Sequence, residues 1–496
     1  MPLRRPATAI AACAILATGC APADDATDAP PNIIYMLADD LGYRELGAYG
    51  QTRIRTPHLD RMAAEGIRFT QHYSGSPVCA PSRAALLTGL HTGHGSVRDN
   101  LEFGGYTDEE ERGQMPLPAG TVTLAGLLRD QGYVTGAIGK WGLGGPGTEG
   151  EPNRHGFDYF FGYLDQKQAH NYYPTHLWRN GERVPLDNAY FSPHQEHTGD
   201  PTDPASYDAY RGAEYSLDVM AEDALAWIRE RHARDERFFL YLPFTIPHLA
   251  LQVPDSALTA YDDVFDESPY LGERGYLPHP RPQSAYAAMI SQMDAHIGRI
   301  LALLDELDLD DRTLVLFSSD NGTTYTGGVD ATVFASVGEL RGLKGAVYEG
   351  GIRVPLLARW PGRIPAGATS DAVTAFWDLL PTFADLVGFA PPAGLDGQSF
   401  LPQLRGEAPA AERPPLYWEY HGLWRGAQAV RIGRWKGVRL GGHERADAPI
   451  ELYDLETDPG EAQDVAAQHP DIVARVRAVM QARTDSPVAG WNFAAW

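Results

Sequence analysis

Hydrophobic positions along the chain fall into two textures. Ile33–Leu37, Val134–Ile138, Phe238–Phe244, Thr313–Ser318 and Val354–Trp360 are short, continuous apolar runs, the pattern of strands buried on both faces. Between them, Ser216–His232 and Ser284–Leu304 carry apolar residues at helical spacing. Thr56 stands as a cap before Pro57 at a first helical position, with Gly66 just past the end. Strands alternating with helices predict an α/β fold, a large, mostly parallel mixed sheet sandwiched by helices. After about residue 415 the texture changes. Leu416–Tyr420, Ala427–Ile432, Trp435–Leu440 and Ile450–Tyr453 predict a short antiparallel sheet, and Pro470–Arg483 a closing helix. The chain therefore divides into a main domain, residues 32–400, and a smaller α+β subdomain, residues 401–496. No internal repeat is visible.

The N-terminus stands outside this pattern. Arg4 and Arg5 precede an apolar run, Ala7–Ala17, too short to span a bilayer, so residues 1–20 read as a secretory signal. Ala17-Thr18-Gly19-Cys20 looks like a bacterial lipobox with Cys20 lipidated; plain cleavage into the periplasm is the alternative. Residues 21–31 (APADDATDAPP) read as a flexible tether. The expected location is the periplasm or the outer membrane, with the membrane engaged only through that anchor.

Composition narrows the field. The chain has 496 residues, 43% hydrophobic and 21% charged, enough for a sizeable core and unlike disordered, collagenous or coiled-coil chains. A formal charge of −24 argues against a general nucleic-acid binder, though a local pocket can still be basic. Of three cysteines, Cys13 falls in the signal and Cys20 is the candidate anchor, which leaves Cys79 without a disulfide partner.

Two acidic pairs follow predicted strands: Asp39-Asp40 and Asp320-Asn321. In a parallel sheet the carboxyl ends of strands form the ligand site, so the pairs are expected to converge there. Three carboxylates and an amide oxygen suit a hard cation, Ca²⁺ or Mg²⁺; taken singly, such residues are also ordinary turn and cap residues. Cys79-Ala80-Pro81-Ser82-Arg83 reads as a helix start with Pro81 first in the helix. Cys79 then sits where free N–H groups and the helix dipole favour an anion, and Arg83 adds a positive fork for a tetrahedral oxyanion. The Gly-rich tract 142–150 is not a phosphate loop, because Lys140 is followed by Trp; it is expected to let backbone approach the pocket closely. No Gly-x-Ser-x-Gly elbow is present.

These residues resemble the type I, formylglycine-dependent sulfatases of the alkaline phosphatase superfamily. The match runs through CAPSR-AAL-LTG (Cys79–Gly89), NIIYMLADDLGY, TPHLDRMAAEGIRF, GKWGLG, TIPH, SSDNG, RGLKGAVYEGGIRVPLLARWPG and ELYDLETDPGE. It implies that Cys79 is oxidised by a formylglycine-generating enzyme to 3-oxoalanine, whose hydrate supplies the nucleophile. It implies Asp39, Asp40, Asp320 and Asn321 around Ca²⁺, with Cys79 facing the ion. It assigns Arg83, Lys140 and Lys344 to charge on the sulfuryl group, and His248 to protonation of the leaving oxygen. One position departs: the family's Gly-Lys-Trp-His-Leu-Gly reads Gly142 at its histidine. His170 is the candidate substitute, with His94 second.

Gln166–Arg179 (QKQAHNYYPTHLWR) is rich in aromatic, histidine and basic residues that suit a sugar ring; a packed surface loop is the alternative. The resemblance implies an exo-acting sulfatase on sulfated carbohydrate, of galactose or N-acetylgalactosamine type. Two alternatives stay open: a phosphodiester or phosphonate monoester hydrolase of the same superfamily, and a non-catalytic protein that binds sulfated glycans.

Overall fold

The computed structural model describes Met1 and residues 29–104, 107, 110–408, 412–422 and 425–495. The expected signal with Cys20, and most of the tether, lie outside these residues. The described residues from Pro31 onward form one compact unit.

Among the described residues a ten-stranded sheet forms the centre. Its strands are β1 (Asn32–Asp39), β2 (Ile67–Tyr73), β3 (Val134–Lys140), β4 (Tyr159–Tyr163) and β5 (His176–Arg179), then β6 (Glu182–Pro185), β7 (Phe238–Pro247), β8 (Thr313–Ser319), β9 (Arg353–Arg359) and β10 (Ala368–Ala375). In space they run β10-β2-β9-β8-β1-β7-β3-β4-β5-β6. The central strands β8, β1, β7, β3 and β4 are parallel, while β9 opposes both β8 and β2. Antiparallel β5 and β6 close the far edge.

Strand β1 shows why its apolar run is unbroken. Ile34, Met36 and Ala38 pack in one core with helices α3 (Ser216–Ala233) and α4 (Pro282–Glu306). Ile33, Tyr35 and Leu37 point the other way, into the core that holds helix α2 (Cys79–Thr88). With the two-residue period of a strand, both faces are covered and no polar alternation survives.

Helix α1 (Pro57–Ala64) is capped differently from the sequence expectation. The Thr56 hydroxyl makes no cap hydrogen bond; it accepts from Gly47 N at 2.9 Å and donates to Asp60 Oδ1 at 3.2 Å. The free N–H groups of His58 and Leu59 are met instead by Asp294 of α4, at 3.1 and 2.7 Å. A carboxylate reaching across from a packed helix does the work of a local cap.

A four-stranded antiparallel sheet, β11 (Leu416–Tyr420), β12 (Ala427–Ile432), β13 (Trp435–Leu440) and β14 (Ile450–Asp454), carries the C-terminal helix α5 (Pro470–Gln481). A buried ion cluster ties it to the main sheet. Lys436 Nζ lies 2.9 Å from both Glu349 and Glu461, and Glu461 accepts Glu349 N at 2.7 Å. Tyr73 OH adds a bond to Glu349 at 2.6 Å. Burial, with Glu349 alongside, raises the Glu461 carboxyl despite Lys436. Lys436→Met is therefore expected to leave two facing buried carboxylates and to cost about 3–5 kcal/mol of unfolding free energy, read from urea denaturation. Adding Glu461→Gln should recover part of that loss.

Candidate active site

Strands β1 and β8 are adjacent and parallel, in register at Ala38 and Ser319. Both acidic pairs therefore leave the sheet together. Asp40 adopts φ +67°, a left-handed turn that Asp tolerates, and its N–H donates to Asp320 Oδ1 at 3.1 Å. Asn321 Nδ2 donates to Asp40 Oδ1 at 2.7 Å. Its Oδ1, fully buried, has no hydrogen-bond partner. An orphaned carbonyl oxygen beside three carboxylates is the expected mark of a hard-cation site. Donor atoms of Asp39, Asp40, Cys79 and His248 also lie within 4.8 Å of one another.

Three cations balance the carboxylates. Lys140 Nζ meets Asp39 Oδ2 at 2.5 Å, and Lys344 Nζ meets Asp40 at 2.7 and 2.8 Å. Arg83 pairs with Asp320 Oδ2 through Nε (3.0 Å) and Nη2 (2.9 Å), and with Asp39 Oδ2 at 3.2 Å; Nη1 donates to Lys140 O. Its fork is thus engaged with protein groups rather than presented to an incoming anion. Burial, with Asp39 adding to it, pushes Asp320 up to about 7. Burial also acts upward on Asp39, but Lys140 and Arg83 outweigh it and hold that carboxyl far below its ordinary range. Burial works against charge on Lys344, and Asp40 overrides it.

Cys79 opens α2 inside this ring of charges. Its Sγ lies 3.5 Å from Asp39 Oδ1, 4.0 Å from Asp40 Oδ1, 3.9 Å from Lys140 Nζ and 3.5 Å from Lys344 Nζ. The helix begins at Cys79, so Pro81 is its third residue; a missing N–H is tolerated anywhere in the first turn. All ten helix residues are buried. Asn100 Oδ1 takes the Ala80 N–H at 2.9 Å, and Ser82 N reaches Val78 O at 3.4 Å. In the first turn Pro81 has no N–H and the Ala80 N–H is taken by Asn100, so fewer N–H groups face an anion than the sequence suggests. Ser82 Oγ accepts Gly75 N at 3.0 Å, a positioning bond. Burial pushes the Cys79 thiol far up, so the plain thiol is a poor nucleophile at neutral pH.

His248 ends the ring, with Nε2 3.7 Å from Asp40 Oδ2. Its Nδ1 lies 2.7 Å from Leu249 O; a carbonyl only accepts, so Nδ1 carries the proton and neutral Nε2 faces the site. Burial, reinforced by Lys344, lowers its pKa to about 4.

A sulfatase family model matches residues 31–389. The chain belongs to the sulfatase family. A second model, described as N-sulphoglucosamine sulphohydrolase, C-terminal, matches residues 343–485 of this sulfatase. It is 31% identical over 497 residues to N-acetylgalactosamine-6-sulfatase of Canis lupus familiaris, covering 93% of this chain and 87% of the relative. It is 32% identical over 550 residues to steryl-sulfatase of Mus musculus, covering 94% and 83%. The crystal structure of Ps i-CgsB in complex with k-i-k-neocarrahexaose is similar at TM-score 0.75 and 27% identity, over 92% of this chain and 94% of that one. This sulfatase is accordingly a sulfuric ester hydrolase on an alkaline phosphatase-like fold.

The departure at Gly142 has a structural counterpart. Gly142 has φ +75°, and a Cβ there would lie 2.6 Å from Gln166 Cγ. Gln166 Nε2 donates to Gly142 O at 3.3 Å. A glutamine from the next loop fills the space beside the glycine, which the sequence reading missed. His170 lies against His248, His194 and Tyr276. His94 instead pairs with Asp396 at 2.7 Å and stacks on His91. Elsewhere in the Gly-rich tract, Gly145 lies against the backbone of Arg112 and Gly113, and Gly150 against Leu143 O and Leu117 N, so these two glycines serve close packing between loops.

Most of Gln166–Arg179 faces inward rather than forming a sugar platform. Tyr172 and Tyr173 are buried, Trp178 Nε1 donates to Glu111 at 2.6 Å, and Arg179 pairs with Asp223 at 2.8 Å. The buried Trp178 N–H found its partner inside the protein, where leaving it unmet would be costly, while the Arg179 pair sits half-exposed at the rim.

Proposed function

We propose that this sulfatase hydrolyses sulfate esters on carbohydrates as an exo-acting enzyme, with galactose- or N-acetylgalactosamine-type sulfates as substrates, outside the cytoplasm after export by residues 1–20. The setting of Cys79 carries the reading: one atom at a buried helix start, flanked by Lys140 and Lys344 at 3.9 and 3.5 Å and by Asp39 at 3.5 Å. The N-acetylgalactosamine-6-sulfatase relative and the similar structure with bound neocarrahexaose support the sugar class.

Conversion of Cys79 to formylglycine by a formylglycine-generating enzyme would supply a hydrated aldehyde with two hydroxyls, one to serve as the nucleophile and the other to expel sulfate and restore the aldehyde. Asp39, Asp40, Asp320 and Asn321 would hold Ca²⁺, or Mg²⁺, which when bound supplies a Lewis acid for a sulfate oxygen. Asp39 Oδ1 lies 3.5 Å from Cys79 Sγ, so the carboxylate that would hold the ion also borders the attacking group. Lys140 and Lys344 place positive charge on either side of the sulfuryl oxygens, preorganised by their carboxylate partners. Arg83 keeps Asp39 and Asp320 in place. His248 Nε2 delivers a proton to the departing sugar oxygen, and the negative charge of the bound ester favours the protonated ring.

The test is sulfate release by the matured chain, with maturation verified by peptide mass. The panel holds sulfated monosaccharides, an aryl sulfate and a phosphodiester. Release from a galactose-type sulfate, with the phosphodiester far slower, is expected. A faster phosphodiester, or tight sugar binding without turnover, would replace this reading with one of its alternatives. For the ion, calcium at about 100 times its dissociation constant should add ~2.7 kcal/mol of stability, and chelation should lower the melting temperature. An unchanged melt would sink the metal assignment.

A further inference from the structure

A cluster of three rings lies behind His248 and takes no part in the steps proposed above. His170 lies face to face with His248, ring centroids 4.6 Å apart and planes 14° from parallel. His170 Nδ1 is 3.0 Å from His194 Nε2. Tyr276 meets His170, His194 and His248 at 5.2, 4.9 and 5.8 Å between centroids. The backbone reinforces this grip. His170 O accepts Ala250 N at 3.2 Å, Tyr172 OH donates to His248 O at 2.6 Å, and Gln252 Oε1 accepts Tyr172 N at 2.8 Å. Tyr172 OH also donates to Thr245 O, so the segment carrying His170 holds the chain on both sides of His248.

The need for such a grip follows from His248 itself. Its Nδ1 bond to Leu249 O fixes the tautomer, but that acceptor belongs to the next residue and moves with it. The direction of Nε2 is set by what packs on the ring face, and that is His170. Proton delivery tolerates only a small misalignment, so the support of the ring is worth a measurable part of the rate. His170 is buried, whereas His194 is exposed at the outer end of the row.

We propose that His170, braced by His194 and Tyr276, is the positioning residue that aims His248 Nε2 at the leaving-group oxygen. This rests on the reading of His248 as the proton donor. A sugar alkoxide leaves badly without a proton, whereas 4-nitrophenolate leaves readily without one. The two esters therefore separate positioning of the acid from every other defect.

On the matured enzyme, His170→Ala should lower kcat/KM for the sugar sulfate about 30-fold, a fraction of the ~10²–10⁴ of general acid catalysis. The loss on 4-nitrophenyl sulfate should stay below about 3-fold. His170→Phe, which keeps a stacking face, should recover most of the sugar activity. His194→Ala, at the exposed end where folding is not at stake, should show the same selectivity at about 5-fold. In a His248→Ala background, His170→Ala should change nothing further. Equal losses on both esters, no loss on either, or a loss that persists without His248 would overturn the proposal. Matured wild type releasing sulfate from neither ester would overturn the sulfatase reading on which it rests, and that result is separable because both esters are measured on one preparation.

Discussion

Replacing Cys79 by alanine is expected to reduce sulfate release by at least about 10⁴-fold, on every ester the wild type accepts, with little change in stability. The rate effect is large because the side chain is the reacting atom's carrier: removing a nucleophile costs ~10⁴–10⁶ in enzymes that work through one. At ten-fold per 1.36 kcal/mol, 10⁴ corresponds to about 5.4 kcal/mol of transition-state stabilisation. The stability effect is small because the thiol holds nothing together: its contacts to Asp39, Asp40, Lys140 and Lys344 lie at 3.5–4.0 Å, while those groups pair with one another at 2.5–2.8 Å. A melting temperature within about 3 °C of wild type is expected. Unmatured wild-type protein should match Cys79→Ala in activity, because burial keeps the thiol protonated. Substantial turnover by either protein would remove Cys79 from the chemistry and move attention to the phosphodiesterase alternative.

Much of this site was legible because its parts obey local rules. A strand buried on both faces must be apolar throughout, so β1, β7 and β8 stand out as runs, and acidic residues directly after two of them mark a strand-end site. The residues that were not legible act across long stretches of chain. Asp294 caps α1 from 236 residues beyond His58. Lys436 sits in an alternating run where a lysine looks like a solvent-facing residue, yet it meets Glu349 and Glu461 in the interior. Gln166, His194 and Tyr276 come from loops without periodicity, and only the fold brings the first beside Gly142 and the other two beside His170. The aromatics of Gln166–Arg179 were visible as a cluster, but composition does not say which way a ring points. Arg83 was recognised by its motif while its fork proved to be directed at carboxylates, because a buried guanidinium takes the nearest anions.

That engagement of Arg83 sets up the second large effect. Arg83→Met keeps the volume and removes the charge from a position with no solvent exposure. Asp39 and Asp320 then lose their shared partner, and Lys140 O loses a donor. Breaking one side of a buried ion cluster typically costs 3–5 kcal/mol, more than the lost attraction alone, because the remaining charges stay desolvated. For Arg83→Met a loss of about 3–5 kcal/mol is expected in urea unfolding, with the midpoint shifted and the slope unchanged. Activity should fall by at least about 10³-fold, since Asp39 and Asp320 are held by the lost group and their geometry builds the candidate metal site beside Cys79. The two readouts separate the roles. If Arg83 instead contacted the sulfate directly, activity would fall while stability stayed near wild type, as with Cys79→Ala. A stable, inactive Arg83→Met would therefore return the guanidinium to the substrate, and a destabilised one keeps it beneath the carboxylates that build the site.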